Sequence, residues 1–183
     1  MPKVSQEHVA SRRAEILEGA RRAFARHGYD GTTVARLEAE IGLSRGAIFH
    51  YFESKLDLFA ELALADNTRY QRLLTDEGVE AVIRAIAAAD RDWLTVLVET
   101  EVRLWHDPEF ERRMEASQAT DEELFAALAR AQAEGRLRSD VSMPDLASFL
   151  LVVINGLAVR VAGSDAPAIE PFVRLVNDAI SPR

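Results

Sequence analysis

Apolar residues recur at spacings of three and four along nearly the whole chain, and no stretch alternates apolar and polar residues over a strand's length. The pattern predicts an all-α fold. A first helix runs from Gln6 or Arg12 to His27 on the stripe Ile16, Leu17, Ala20, Ala23 and Phe24, and Gly28 ends it. Val34, Leu37 and Ile41 mark a short second helix. Arg45 to Tyr51 makes a third, with Ile48 and Phe52 turned inward. A long helix from Lys55 to about Leu74 carries Leu58, Phe59, Leu62, Ala65 and Leu73, and Thr75-Asp76-Glu77-Gly78 breaks it. Val79 to Ala88 and Asp92 to His106 are amphipathic. The second of these has Leu94, Val98, Val102 and Trp105 on one face, with Trp93, Leu97 and Leu104 beside it. Pro108 opens a further helix toward Glu134, with a break expected near Ser117 to Thr120 and Gly135 at its close. Asp145 to Ala162 and Ala168 to Ile180 are the last two helices.

The segment from Thr32 to Phe59 carries the most information. Thr33 and Ser44 stand where N-caps are needed, and Gly42 stands where the second helix must turn out of its path. Ser54 caps the next helix, with Asp57 three residues on in a capping-box-like spacing. Two short helices joined by Gly42-Leu43-Ser44 have the layout of a helix-turn-helix, whose second helix enters the DNA major groove. Core packing does not account for Arg45, Ala47, Phe49, His50 and Tyr51. Gly46 costs about 1 kcal/mol relative to Ala in a helix interior. A bare backbone at that point lets a DNA strand come close.

The helix from Asp145 to Ala162 is apolar nearly all round and must be covered on most sides. In a chain of this size the natural cover is a second copy. Gly156 permits close helix approach, and Ile169, Phe172, Val173, Val176 and Ile180 on the last helix supply the other half. The expectation is a homodimer through the last two helices. Asn155, an amide inside that apolar helix, needs a partner, from a ligand or from the other subunit.

Composition narrows the classes. The chain has 183 residues and a net charge of -8, unevenly spread. Residues 1–60 hold nine Lys/Arg against eight Asp/Glu, and the remainder thirteen against twenty-two. A near-neutral front on an acidic body suits a domain that touches DNA at one end, not an indiscriminate nucleic-acid coat. The absence of cysteine excludes a disulfide framework and thiol chemistry. The N-terminal stretch has no apolar core of a secretory signal. The run Leu146 to Ala162 falls short of a span of about 20 residues and is interrupted by Asn155 and Arg160. A cytoplasmic location without membrane attachment follows as an expectation. The four histidines, His8, His27, His50 and His106, form no metal-spaced pair, and no phosphate loop or nucleophile elbow is present. An enzyme is not expected.

The first sixty residues resemble the N-terminal domain of the TetR family of transcriptional regulators. The matching residues are Phe24, Gly28, Tyr29, Thr32-Thr33-Val34, Gly42, Ser44, Gly46, the run Phe49-His50-Tyr51-Phe52, Lys55 and Leu58. Two positions depart from the family's habit: Glu38 stands where a small residue is usual, and Ile48-Phe49 where Leu-Tyr is. A narrower likeness, to the actinobacterial subgroup that represses an aconitase gene, rests on the run from Ile16 to His50 and on Asp107-Pro108-Glu109-Phe110.

The resemblance implies a helix-turn-helix DNA-binding domain over residues 1–54 and an effector-binding and dimerisation domain over 55–183. It implies contact with double-stranded operator DNA through Thr33, Ser44, Arg45, Gly46, Ala47, Phe49, His50, Tyr51 and Lys55. Of these, Thr33, Ser44 and Lys55 would face phosphate, and Arg45 would read guanine or grip phosphate. It implies a ligand-responsive homodimeric repressor needing no cofactor. The effector pocket would draw on Asn67, Tyr70, Trp93, Glu101, Arg103, Trp105, Arg130 and Asn155. The narrower likeness implies a small carboxylate metabolite as effector, with a divalent metal as a further expectation.

Overall fold

A computed structural model describes residues 6–104, 106–114 and 118–182. Among them are ten helices and no strand: α1 (Gln6–Gly31), α2 (Val34–Ile41), α3 (Arg45–Ile48), α4 (Lys55–Asp76), α5 (Val79–Ala87), α6 (Arg91–Leu104), α7 (Pro108–Met114), α8 (Gln118–Ala133), α9 (Met143–Ala162) and α10 (Ile169–Ile180). The all-α expectation holds. Of the break expected near Ser117 to Thr120, Ser117 lies outside the described residues and Gln118 to Thr120 already belong to α8.

Gly28 ends the regular part of α1 in the left-handed region, at φ 69°. Thr32 is buried behind that turn, and its hydroxyl donates to the Gly28 carbonyl at 2.7 Å. The turn aims the chain into α2, which packs across α1. That packing is close because residue 19 is glycine: a Cβ there would stand 2.6 Å from Ile41 Cγ1 and 2.9 Å from Ile41 Cα. Ile16, Ala20, Phe24, Leu37, Ile48, Phe52 and Phe59 fill the space between α1, α2, α3 and the start of α4.

This small core does not end at the base of the reading unit. Phe24 and Phe59 both meet Trp93 of α6, at centroid distances of 6.4 and 5.9 Å, and Phe59 also meets Phe110 of α7 at 6.0 Å. One apolar cluster runs from the helix-turn-helix into the body. Contacts of this kind transmit displacement, because a close-packed interior has few voids to absorb it.

Helix faces follow the predicted stripes with two corrections. On α4 the buried residues are Asp57, Leu58, Phe59, Ala60, Leu62, Ala63, Asp66 and Gln71, while Ala65 is exposed. The inner row follows spacings of four from 58 and 59, and position 65 falls off it. On α6 the buried face is Trp93, Leu94, Val96, Leu97 and Thr100, and Val102 points outward. In α9, Leu146, Leu150, Leu157 and Val161 face inward, whereas Phe149, Leu151, Val152 and Val159 are exposed. This helix is 20 residues long, longer than the apolar run read from sequence, and by length and composition alone it matches a membrane span.

Candidate nucleic-acid interface and effector body

The reading unit is built from caps. Thr33 accepts from the Arg36 amide at 3.3 Å and starts α2. Gly42 takes the left-handed conformation at φ 76°, and its amide donates to the Glu38 carbonyl at 2.9 Å, which closes α2. Ser44 then starts α3, accepting from the Ala47 amide at 3.4 Å. The third helix is shorter than expected: it ends at Ile48, and 49–51 form a turn in which the Tyr51 amide reaches the Ile48 carbonyl at 3.1 Å. The turn tightens because Phe52 must enter the core directly before Ser54 starts α4.

Arg45, Gly46 and His50 are exposed, and the Arg45 guanidinium joins no ion pair among the described residues. A Cβ at Gly46 would meet nothing within 4 Å, so nothing inside the protein calls for glycine there. Thr33 and Ser44 are exposed on the same unit, with Ala47 half-buried. Phe49 and Tyr51 are half-buried and pack on the core. The Tyr51 ring meets His50 edge to face at 5.1 Å, and Arg13 donates to the Tyr51 carbonyl at 2.5 Å. Lys55 is drawn further in than a free phosphate contact would be. Its Nζ donates to the Tyr29 carbonyl at 2.9 Å and lies 4.3 Å from the Tyr29 ring centre. Burial lowers its pKa, against the pull of Asp30.

The expected effector residues do not share one pocket. Trp93 is a core residue, not a pocket wall: its indole donates to Asp66 at 2.7 Å. Arg21 grips the same carboxylate with two bonds, at 2.8 and 3.0 Å, and lies 4.6 Å from the Trp93 ring centre. This joint ties α1, α4 and α6 together. Glu101 is half-buried near it, and burial, with the Asp66 charge adding, pushes its carboxyl up to about 7. Arg103 is spent on the junction between reading unit and body, where it pairs with Asp30 and lies 5.3 Å from the Tyr29 ring centre. Asn155 lies on the exposed side of α9, away from the interior. Asn67 and Tyr70 are half-buried on α4, and burial raises the Tyr70 phenol. Arg130 lines a cavity of about 210 Å³ between α4, α5, α8, α9 and α10, walled by Leu74, Val79, Leu128, Leu150 and Ile180, with Arg136 also lining it. Trp105 lies outside the described residues.

Sequence reasoning missed the charged residues that join the two halves. Arg113 of α7 pairs with Glu109, Glu53 and Asp57, and the Asp57 carboxylate also accepts from the Glu53 amide at 2.8 Å. For the Arg21 joint the available signal was Asp66 on the inward row of α4, since a carboxylate there demands a cation. Among the described residues no three histidine, aspartate or glutamate side chains converge to hold a metal ion.

A helix-turn-helix with a bare glycine and an exposed arginine at its edge, fused to a helical body, defines a DNA-binding regulator. The chain belongs to the TetR family. Residues 16–62 match the family described as bacterial regulatory proteins, tetR family, and residues 70–181 match the C-terminal domain of BetI-type transcriptional repressors. It is 42% identical to the HTH-type transcriptional repressor Rv1474c of Mycobacterium tuberculosis, over 98% of each chain. It is 40% identical to the HTH-type transcriptional repressor AcnR of Corynebacterium diphtheriae, over 98% of this chain and 97% of that one. In fold it is similar to Salmonella enterica GusR, with a TM-score of 0.71 and 22% identity over 97% of this chain and 96% of that one. The chain is a transcriptional regulator of a DNA-binding family, not an enzyme.

Proposed function

We propose that this protein is an effector-controlled homodimeric repressor that acts on chromosomal DNA in the cytoplasm, with an aconitase gene among its targets. The observation that carries the reading is the exposed edge of α3, where Arg45 joins no ion pair and a Cβ at Gly46 would meet nothing among the described residues. Two copies would place two such edges in successive major grooves of a two-fold operator. The target gene is suggested by the relatives named AcnR.

The outer face of α9 and α10 supports the dimer. Leu151, Val152, Val159 and Leu175 are 54–70% exposed, and a Cβ at Gly156 between them would meet nothing. An apolar patch of that kind marks a protein interface. The family assignment and the position of Arg160 on this helix favour a second copy over lipid as its cover. The cavity lined by Arg130 supports a small carboxylate effector, since an apolar wall with a few placed polar groups is the usual form of a ligand site. Such an effector shifts DNA binding only through its difference in affinity for two dimer geometries.

The test is fluorescence anisotropy with three duplexes: DNA from upstream of the protein's own gene, DNA from upstream of an aconitase gene, and a scrambled control. Tight binding confined to the aconitase fragment or to both natural fragments, weakened by a di- or tricarboxylate with or without magnesium, is the expected result. Equal weak binding to all three would refute the reading. For the interface, Val152→Asp should convert a dimer to a folded monomer by light scattering, and an unchanged dimer would place the interface elsewhere.

A further inference from the structure

We infer that Glu38 is a positioning residue for DNA recognition, the strut that sets where Arg45 meets the DNA; this rests on the helix-turn-helix reading above. Glu38 occupies a place where a small residue would let α2 and α3 pack together directly. Its side chain spans the gap instead, and Oε1 accepts from the Arg45 backbone amide at 2.6 Å. A carboxylate accepting from an amide forms a short, charge-assisted bond, about twice as strong as a neutral one.

The strut adds a side-chain tie from α2 to a helix otherwise held by the bonds of the Ala47 and Ile48 amides to the Ser44 carbonyl, at 2.9 and 3.0 Å, and by Ile48 in the core. The helix has four residues, and Ile48 is the one buried among them. The Ser44 hydroxyl reaches the Ala47 amide only at 3.4 Å, a long bond. The Glu38 bond is therefore the tightest polar tie between α2 and the first residue of α3. It falls on the backbone of Arg45, whose guanidinium is left without an ion-pair partner among the described residues. Glu38 thus fixes the base of the Arg45 side chain without spending its charge. A carboxylate beside a DNA-reading helix repels phosphate, so its presence needs a gain in geometry to offset that repulsion.

The experiment uses the full-length protein and a duplex selected by the wild type from a randomised pool, with a scrambled duplex as reference. Each variant is read as the ratio of the two affinities at fixed salt. Glu38→Ala is expected to lower that ratio about tenfold, mainly through loss of binding to the selected duplex. Glu38→Gln keeps an acceptor at the same reach and is expected to stay within about threefold of wild type. In an Arg45→Ala background, Glu38→Ala is expected to add little, because the strut acts through Arg45. Thermal unfolding should move by no more than a few degrees in any of these variants.

The inference is overturned if Glu38→Ala leaves the ratio intact, or raises binding to both duplexes equally as a removed repulsive charge would. It is also overturned if Glu38→Ala costs the same factor with and without Arg45. Should the wild type enrich no sequence from the pool, the helix-turn-helix reading fails first and takes the strut with it.

Discussion

Glu101 makes stability fall as pH rises, and the effect can be isolated by one substitution. Burial, with the Asp66 charge adding, pushes its carboxyl up to about 7 from the ordinary 4.5. The folded protein therefore holds a proton that the unfolded chain releases. The stabilisation is fully present below about pH 4.5, is lost as pH rises through about 7, and is flat above that. At about 1.36 kcal/mol per tenfold step the gap sets a ceiling of about 3 kcal/mol. Glu101 is only half-buried, so water reaching the carboxylate trims this to about 1–2 kcal/mol. Glu101→Gln is neutral at every pH and is shaped like the protonated acid. It should match the wild type near pH 4.5 and exceed it by about 1–2 kcal/mol at pH 8, which for a chain of this length is a melting shift of roughly 2–8 °C. Calorimetry at pH 5, 6, 7 and 8, at one protomer concentration, measures the difference. A difference that does not grow with pH, or a variant less stable than wild type at pH 8, would refute the argument from burial.

Three further substitutions separate folding from DNA reading. Gly46→Ala should leave the melting temperature unchanged or slightly higher, since its Cβ meets nothing in the protein and Ala favours helix by about 1 kcal/mol, yet operator affinity should fall at least tenfold in a binding titration. Gly19→Ala should do the reverse: its Cβ collides with the Ile41 backbone, so denaturant unfolding should show a net loss of about 1–2 kcal/mol after the helix gain is subtracted. Arg113→Met removes a mostly buried guanidinium from Glu53, Asp57 and Glu109, and should cost about 1–3 kcal/mol and weaken operator binding several-fold while the dimer persists by light scattering.

The sequence carried the helix-turn-helix in unusual detail, and the reasons are local. Thr33, Gly42, Ser44 and Ser54 act through hydrogen bonds to residues three or four positions away, so their identity and spacing nearly determine their geometry. The end of α3 was less legible. Residues Phe49 to Tyr51 are compatible with helix, and it is the demand that Phe52 reach the core that cuts the helix short. The effector residues were least legible, because their partners are distant in sequence. Trp93 meets Asp66 across 27 positions and Arg103 meets Asp30 across 73. Nothing in the periodicity of α6 says which of its polar side chains faces the body and which faces the reading unit.

Those distant pairs also bear on how a ligand in the body could reach DNA. The reading unit is tied to α6 through Arg103 and Asp30, to α7 through Arg113 with Glu53 and Asp57, and to both α4 and α6 through Arg21, Asp66 and Trp93. Beneath the ion pairs the apolar cluster is continuous from Phe24 to Phe110. Exposed ion pairs such as Arg103–Asp30 contribute little energy and are easily exchanged, whereas the buried Asp66 joint resists opening because parting it strands a charge. A shift of α6 would therefore break the outer pair first and pivot on the inner joint. Asp66 and Trp93 would act as the hinge, and the turn that follows α3 would move with Arg113. On this geometry a ligand in the body would change DNA binding only to the extent that it prefers one placement of α6 and α7 relative to α4 over another.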